Sequence, residues 1–189
     1  MAVSAVADIK NAVERLVQKK PYASIRIQDV CEEAGISRKT FSKWFCGVDD
    51  VVRACIVDDF ADPVRNVNAE LPLNTIQSAI SIMLEKHYQR FYDRKDFYLP
   101  IAKGKGVAWL AEQISDVMER LNLEILTEVD WMDEEDLEFG AFFLSSSHAA
   151  ILTWWIKQNL STSIPDLARL TEKWLYAHQR ELDTGNKRW

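Results

Sequence analysis

EEAGISRKTFSKWF, residues 32–45, places Arg38, Lys39 and Lys43 within six residues, directly behind Ala34-Gly35-Ile36-Ser37. The whole chain is acidic, with 29 Asp/Glu against 23 Lys/Arg and a net charge of −6. Such a chain needs a reason to gather cations in one short segment. A solvated helix face, a structural turn between core helices and chance are three readings. The fourth is a helix offered to a groove of DNA.

The neighbouring residues bear on that choice. "IQDVCEEA", residues 27–34, reads as a short helix that Gly35 terminates. Ser37 reads as the cap of another, "RKTFSKWF", residues 38–45. Two short helices around a tight glycine turn make a helix-turn-helix. Ile27, Val30, Cys31, Ile36 and Phe41 are the apolar residues that can lock the two at a fixed angle. Gly35 permits positive φ and a close helix approach. Ser37, Arg38, Lys39, Thr40, Ser42 and Lys43 are all hydrogen-bond donors, which phosphates and base edges require.

Outward from this segment the apolar period stays helical. Val6, Ile9, Val13, Leu16 and Val17 recur at three- and four-residue steps, a first helix that stops at Lys19-Lys20-Pro21. Ser24 is expected to cap the second helix. Asp49 and Asp50 open a fourth, where a helix N-terminus favours negative charge. Pro63, Pro72 and "NVNAELPLN", residues 66–74, mark the clearest boundary. Longer helices are expected beyond it: about 74–93, then an aromatic piece "KDFYLPIA" and a loop "KGKG", then about 107–128, 134–159 and 165–182, the last with Pro165 in its first turn. The expected fold is all-α. Residues 1–60 form a three-helix helix-turn-helix DNA-binding head, and residues 61–189 form a larger helical bundle.

Charge divides along the same line. Residues 1–48 hold eight basic and five acidic residues, a net +3; the remaining 15 basic and 24 acidic residues leave −9. A basic head on an acidic body suits a head that meets a polyanion. Apolar residues are 48% of the chain, which is globular composition. No uninterrupted apolar run approaches the roughly 20 residues of a membrane span, and the N-terminus lacks a signal-peptide pattern. Three cysteines cannot all pair internally, so reduced thiols in a cytoplasm are expected.

With these residues in place, the first 60 positions resemble the N-terminal domain of TetR-family transcriptional regulators. Family members typically read Ile-Ala-x-x-Ala-Gly-Val-Ser-x-x-Thr-Leu-Tyr-x-x-Phe here. Val30, Ala34, Gly35, Ile36, Ser37, Thr40, Phe41 and Phe45 fit that pattern. Two positions depart from it: Ser42 stands where a phosphate-binding tyrosine is usual, and Val48 where a lysine commonly opens the fourth helix. The resemblance implies roles. Gln28 would approach a base edge or phosphate, and Arg38 and Lys39 would reach bases. Thr40, Lys43 and Trp44 would hold the backbone, with Ser37 and Ser42 on the same face and Lys19, Lys20 and Arg26 at the rim. It further implies a homodimer on a palindromic double-stranded operator.

An enzyme is not expected. The three histidines, His87, His148 and His178, fall on different helices without metal-ligand spacing, and no metalloprotease, nucleophile-elbow or phosphate-loop motif occurs. Neither metal nor cofactor is expected. "DWMDEEDLEFG" lacks the alternating ligands of a calcium loop and reads as an acidic helix start. The second half is rich in aromatics. Core packing explains them; so does a mostly apolar pocket for a small apolar or aromatic effector, with Tyr88, Tyr92, Trp109, Phe143 and His148 as candidate lining. On the 134–159 helix, Leu137, Ala141, Leu144, His148, Ile151 and Trp155 form one seam, and Phe139, Phe142, Phe143, Ala150 and Thr153 populate another side. A helix apolar on more than one side must be covered on more than one side, which points to a dimer. The expected function is a ligand-responsive repressor. The alternative is a dimeric interaction module whose head docks on a partner protein instead of DNA.

Overall fold

The structure, a computed structural model, describes residues 2–61, 76–127 and 133–175. All regular structure among these residues is helical. Helix α1 is Ala2–Lys19, followed by one 3-10 turn, Tyr22–Ser24. Helices α2 (Ile27–Ala34) and α3 (Arg38–Ser42) come next. Helix α4, Val48–Ile56, runs on into a π-helical turn, Val57–Ala61. The body holds α5 (Ile76–Asp93), α6 (Lys95–Lys105), α7 (Val107–Leu126), α8 (Glu134–Lys157) and α9 (Ile164–Leu175). The Pro63–Asn74 boundary lies outside the described residues, as do residues 176–182, where the last helix was expected to continue.

The head forms because α1 has one apolar face. Ile9, Ala12, Val13, Leu16 and Val17 are buried against Val30 and Cys31 of α2, Phe41 of α3 and Val51, Val52 and Cys55 of α4. Gly35 closes α2 at φ 65°, a left-handed conformation that suits glycine. Ser24 does not cap α2. Its hydroxyl donates to the Pro21 carbonyl at 2.7 Å and closes the 3-10 turn, while the Asp29 carboxylate accepts the Arg26 N–H at 2.6 Å at the start of α2. Regular α3 stops at Ser42, three residues before its expected end. The Trp44 and Phe45 N–H groups both bond the Phe41 carbonyl, so the chain turns there and Phe45 folds back into the core.

Helix α6 corrects the expectation of a short piece and a loop. It continues through Pro100 and Gly104 to Lys105, and the chain turns at Gly106 with φ 100°. Pro100 has no N–H for the Asp96 carbonyl one turn back. The Gln18 side-chain amide, from α1, donates to that carbonyl instead. Gly104 faces the head: a Cβ there would lie 3.1 Å from Tyr22 Cβ and 3.4 Å from the Ala23 nitrogen. Both residues that spoil the helix pattern in sequence are thus accommodated by the head.

In the body, α7 and α8 pack side by side and α9 covers α5, while α6 packs on α1 and the 3-10 turn and α7 packs on α4 and the π-helical turn. Tyr88, Phe91, Tyr98, Ile101, Leu110, Ile114, Leu152 and Trp155 are fully buried there. Asp133 caps α8, accepting the Asp136 N–H at 2.9 Å, and Glu134–Asp136 fill its first turn, which accounts for the acidic run. Ala141, Ser145, His148, Leu152 and Trp155 face inward from α8. Phe139, Phe142, Phe143 and Trp154 remain exposed on its other side, Phe139 at 65%, and Trp174 of α9 is 72% exposed. By length and composition alone α8 is apolar enough to cross a membrane, with a mean hydropathy of 1.2 over the qualifying window; the core on one side and the exposed aromatic face on the other account for that composition.

Candidate nucleic-acid interface and regulatory core

Helix α3 is held from behind and free in front. Behind, Phe41 is fully buried, its ring 6.0 Å from that of Phe45 and tilted against it. At its start, Ser37 Oγ accepts the Thr40 N–H at 3.1 Å, and the two hydroxyls lie 2.9 Å apart. In front, Arg38, Lys39, Ser42 and Lys43 are exposed, and among the described residues no ion pair includes Arg38, Lys39 or Lys43. Lys43 Nζ sits 5.1 Å from the centre of the Trp44 ring, which is itself partly exposed.

Most other cations of the head are ion-paired. Arg15 and Lys19 pair with Glu33 at 2.6 and 2.7 Å, and Lys20 pairs with Asp29 at 2.6 Å. The Lys19 and Arg15 hydrogen bonds hold the Glu33 carboxyl below its usual range, and Lys20 does the same for Asp29. Gln28 is exposed but donates to Glu32 at 2.8 Å along its own helix. The guanidinium groups of Arg26 and Arg53 bond only neutral oxygens, of Ala23 and Gln113, and the densest group of cations without an ion pair among the described residues is on α3, between Arg38 and Lys43.

The five aromatic and histidine candidates of the body do not share one site. Tyr88 and His148 come together, with rings stacked at 5.5 Å and an interplanar angle of 3°. Trp155 lies edge-on to Tyr88 at 6.0 Å, and Tyr92 stacks on the other side of the same cluster, 6.2 Å from Trp155. Tyr92 also lines a surface cleft of about 460 Å³ with Lys95, Leu99 and Leu160. Trp109 is elsewhere, 6.3 Å from Tyr22 at the junction with the head. Phe143 is on the outward face of α8, stacked on Phe139.

Polar links tie head to body. Asp59, in the π-helical turn, is buried and takes Arg90 at 2.6 Å, Arg94 at 3.0 Å and the Tyr98 hydroxyl at 2.7 Å. Arg94 reaches on to Glu14 of α1 at 2.5 Å. Asp49, in the first turn of α4, accepts from Tyr22 at 2.6 Å and Lys105 at 2.8 Å. Burial pushes its carboxyl up, but those bonds outweigh burial and hold it below the usual range. Arg53 donates to Gln113 of α7 at 2.5 Å. Sequence reasoning assigned nothing to Asp59, Arg90, Arg94 or His87. The ion-pair partners of Asp59, Arg90 and Arg94 are 31 to 80 residues away, beyond the reach of local spacing.

A helix-turn-helix head with a cationic second helix, joined through a polar lattice to a helical body, is the layout of a helical transcriptional regulator. The TetR-type family model described as "Transcriptional regulator C-terminal region" matches residues 79–176. The chain belongs to the TetR family of transcriptional regulators. A solved structure of the fatty acid degradation regulator FadR from Bacillus halodurans is similar, with a TM-score of 0.58 and 16% identity, covering 89% of this chain and 92% of that one. At that identity the likeness speaks for the fold. No curated protein sequence matches the chain.

Proposed function

We propose that this regulator is a homodimeric repressor. Its head, residues 1–60, binds a palindromic operator; its body, residues 61–189, dimerises and answers a small apolar or aromatic effector. The observation that carries the DNA reading is the contrast within the head: Arg15, Lys19 and Lys20 are ion-paired, whereas Arg38, Lys39 and Lys43 on the exposed face of α3 are not. Unpaired cations on a helix fixed by Phe41 and Gly35 suit phosphates and base edges. Arg38 and Lys39 read bases, Thr40, Lys43 and Trp44 hold the backbone, and Ser37 and Ser42 add donors. Gln28 joins them if its bond to Glu32 opens.

Dimerisation is supported by the exposed Phe139, Phe142, Phe143 and Trp154 on α8 with Trp174 on α9. An apolar face of this size requires a cover, and a second copy of α8 and α9 gives a four-helix interface. An effector that binds the non-DNA geometry better releases the operator by differential affinity. The decisive experiment selects bound sites from random DNA and titrates salt on the selected and scrambled sequences. A palindrome with half-sites about one helical turn apart is expected. Equal, salt-insensitive binding to both sequences would favour the protein-docking alternative.

A further inference from the structure

His87 of α5 and His148 of α8 are each more than nine-tenths buried, and the Nε2 atom of each has no hydrogen-bond partner. Their rings meet edge to face at 5.4 Å. Tyr88 stacks on His148, and Phe60 lies 6.3 Å from His87. Buried polar atoms are seldom left unpaired, because each one so left forfeits its hydration without a replacement. Two of them lie side by side among aromatic rings, each able to pair with a polar group from outside the chain.

The chemistry of that group follows from the rings. His87 donates from its other nitrogen to the Phe60 backbone, so its Nε2 is an acceptor in the neutral ring. Burial keeps both rings neutral, pushing His87 down to about 4 and His148 to about 3. A carboxylate or phosphate would find a lone pair there and no free cation, since Arg90 and Arg94 are held by Asp59 and Glu14. A hydroxyl fits: it donates to His87 and can accept from a His148 N–H. We propose that His87 and His148 are the polar anchor of the effector site, and that the effector is an uncharged, apolar molecule carrying a hydroxyl group. This rests on the effector reading above and names its ligand class.

The anchor also adjoins the link to the head. Phe60, which His87 holds, lies in the π-helical turn that ends α4, next to Asp59. A donor on one nitrogen of an imidazole polarises the bond made by the other. Occupancy thus acts directly on the turn that connects α4, and through it the head, to α5.

The test uses the full chain with phenol and 1-naphthol as probes, against their methyl ethers, anisole and 1-methoxynaphthalene. Calorimetry gives affinity, nitrogen-15 NMR reports the His87 and His148 rings, and operator release is measured separately. The alcohols are expected to bind at least about tenfold tighter than the ethers and to shift the His87 Nε2 resonance. His87→Phe and His148→Phe should each erase most of that preference. If either variant fails to fold, His87→Gln and the wild-type NMR shift carry the decision. Equal affinity for alcohol and ether, no binding by any probe, rings answering only a fixed water, or ring signals answering zinc alone would each overturn the proposal. Operator binding by the ligand-free protein is scored in the same series. Its absence would count against the regulator reading, whereas intact operator binding with indifferent histidines removes only the hydroxyl anchor.

Discussion

The Gln18 side chain of α1 donates to the Asp96 carbonyl of α6, the acceptor that Pro100 leaves without its helical N–H. A defect in a body helix is thus completed by the head. The pairing has a measurable consequence. Gln18→Leu should cost about 0.5–1.5 kcal/mol, the usual net worth of one hydrogen bond. In a Pro100→Ala background α6 supplies its own N–H, and the same change should cost close to nothing. Additive losses in a double-mutant cycle, read by urea unfolding, would show that the two residues do not share the carbonyl.

Gly104 makes the next test of the junction. Glycine to alanine inside a helix ordinarily stabilises by roughly 0.5–1 kcal/mol. Here the added Cβ meets Tyr22 Cβ at 3.1 Å and the Ala23 backbone at 3.4 Å, neither of which is the free end of a flexible side chain. Gly104→Ala should forfeit that gain, and Gly104→Val should lower the melting temperature and change operator affinity. A stabilised Gly104→Ala protein would mean that α6 can move away from the head without loss.

These contacts show where the sequence was legible. The head could be read because its signals are local: a three-four apolar period, Gly35 at a left-handed turn, Ser37 three residues before Thr40. Helix α6 could not, because Pro100 and Gly104 are breakers locally and are accommodated only by Gln18 and Tyr22, about 80 residues away. The aromatics of the body were readable as a class but not as a site. Helical spacing put Tyr88 and His148 among the candidates, yet only the fold turns Phe143 outward and carries Trp109 to Tyr22. His87 gave no signal at all, since its meaning comes from Phe60 and His148.

The aromatic face of α8 predicts assembly. Phe142→Glu or Trp174→Glu places a charge where a second copy would bury it, an uncompensated cost of several kcal/mol. Each variant should sediment as a monomer at concentrations where the wild type is a dimer, and should keep its helical content because both side chains are exposed in the single chain. A wild type that is monomeric at micromolar concentration would remove the dimer from the proposed function.

Acid should destabilise the ligand-free protein before its carboxylates titrate. His87 and His148 have folded pKa values of about 4 and about 3, depressed mainly by burial. Unfolded histidines titrate near 6.5. Between these values the unfolded chain binds more protons, so stability is present above pH 6.5 and falls as pH drops below it. By pH 5 each buried ring should cost about 2 kcal/mol relative to pH 7. The urea midpoint should fall across that window accordingly, and His148→Phe should flatten the dependence by about half. A wild-type profile already flat from pH 7 to 5 would mean that these rings take up protons without unfolding the body.

The recognition helix gives the sharpest test, because its cations should act in two separable ways. On the proposed reading Lys43→Ala removes a phosphate contact; it should weaken binding to all sequences alike and reduce the salt slope by about one unit per site. Arg38→Ala removes the proposed base contact; it should relax preference at one base pair per half-site, at a cost of about 1–3 kcal/mol on the selected operator, with little change on scrambled DNA. Lys19→Ala is the internal control. Its ammonium is already held by Glu33 at 2.7 Å, so its loss should alter the salt slope less than the loss of Lys43. Ser42 is exposed on the same face, where the resembled family usually carries tyrosine, and Ser42→Tyr should tighten binding by restoring a hydroxyl that reaches a phosphate. None of these exposed substitutions should move unfolding by more than about 0.5 kcal/mol. Salt-titrated binding of the four variants, on the selected and the scrambled duplex, separates the roles. If all four match the wild type on both, the charges of α3 are a solvated surface and the head binds something other than DNA.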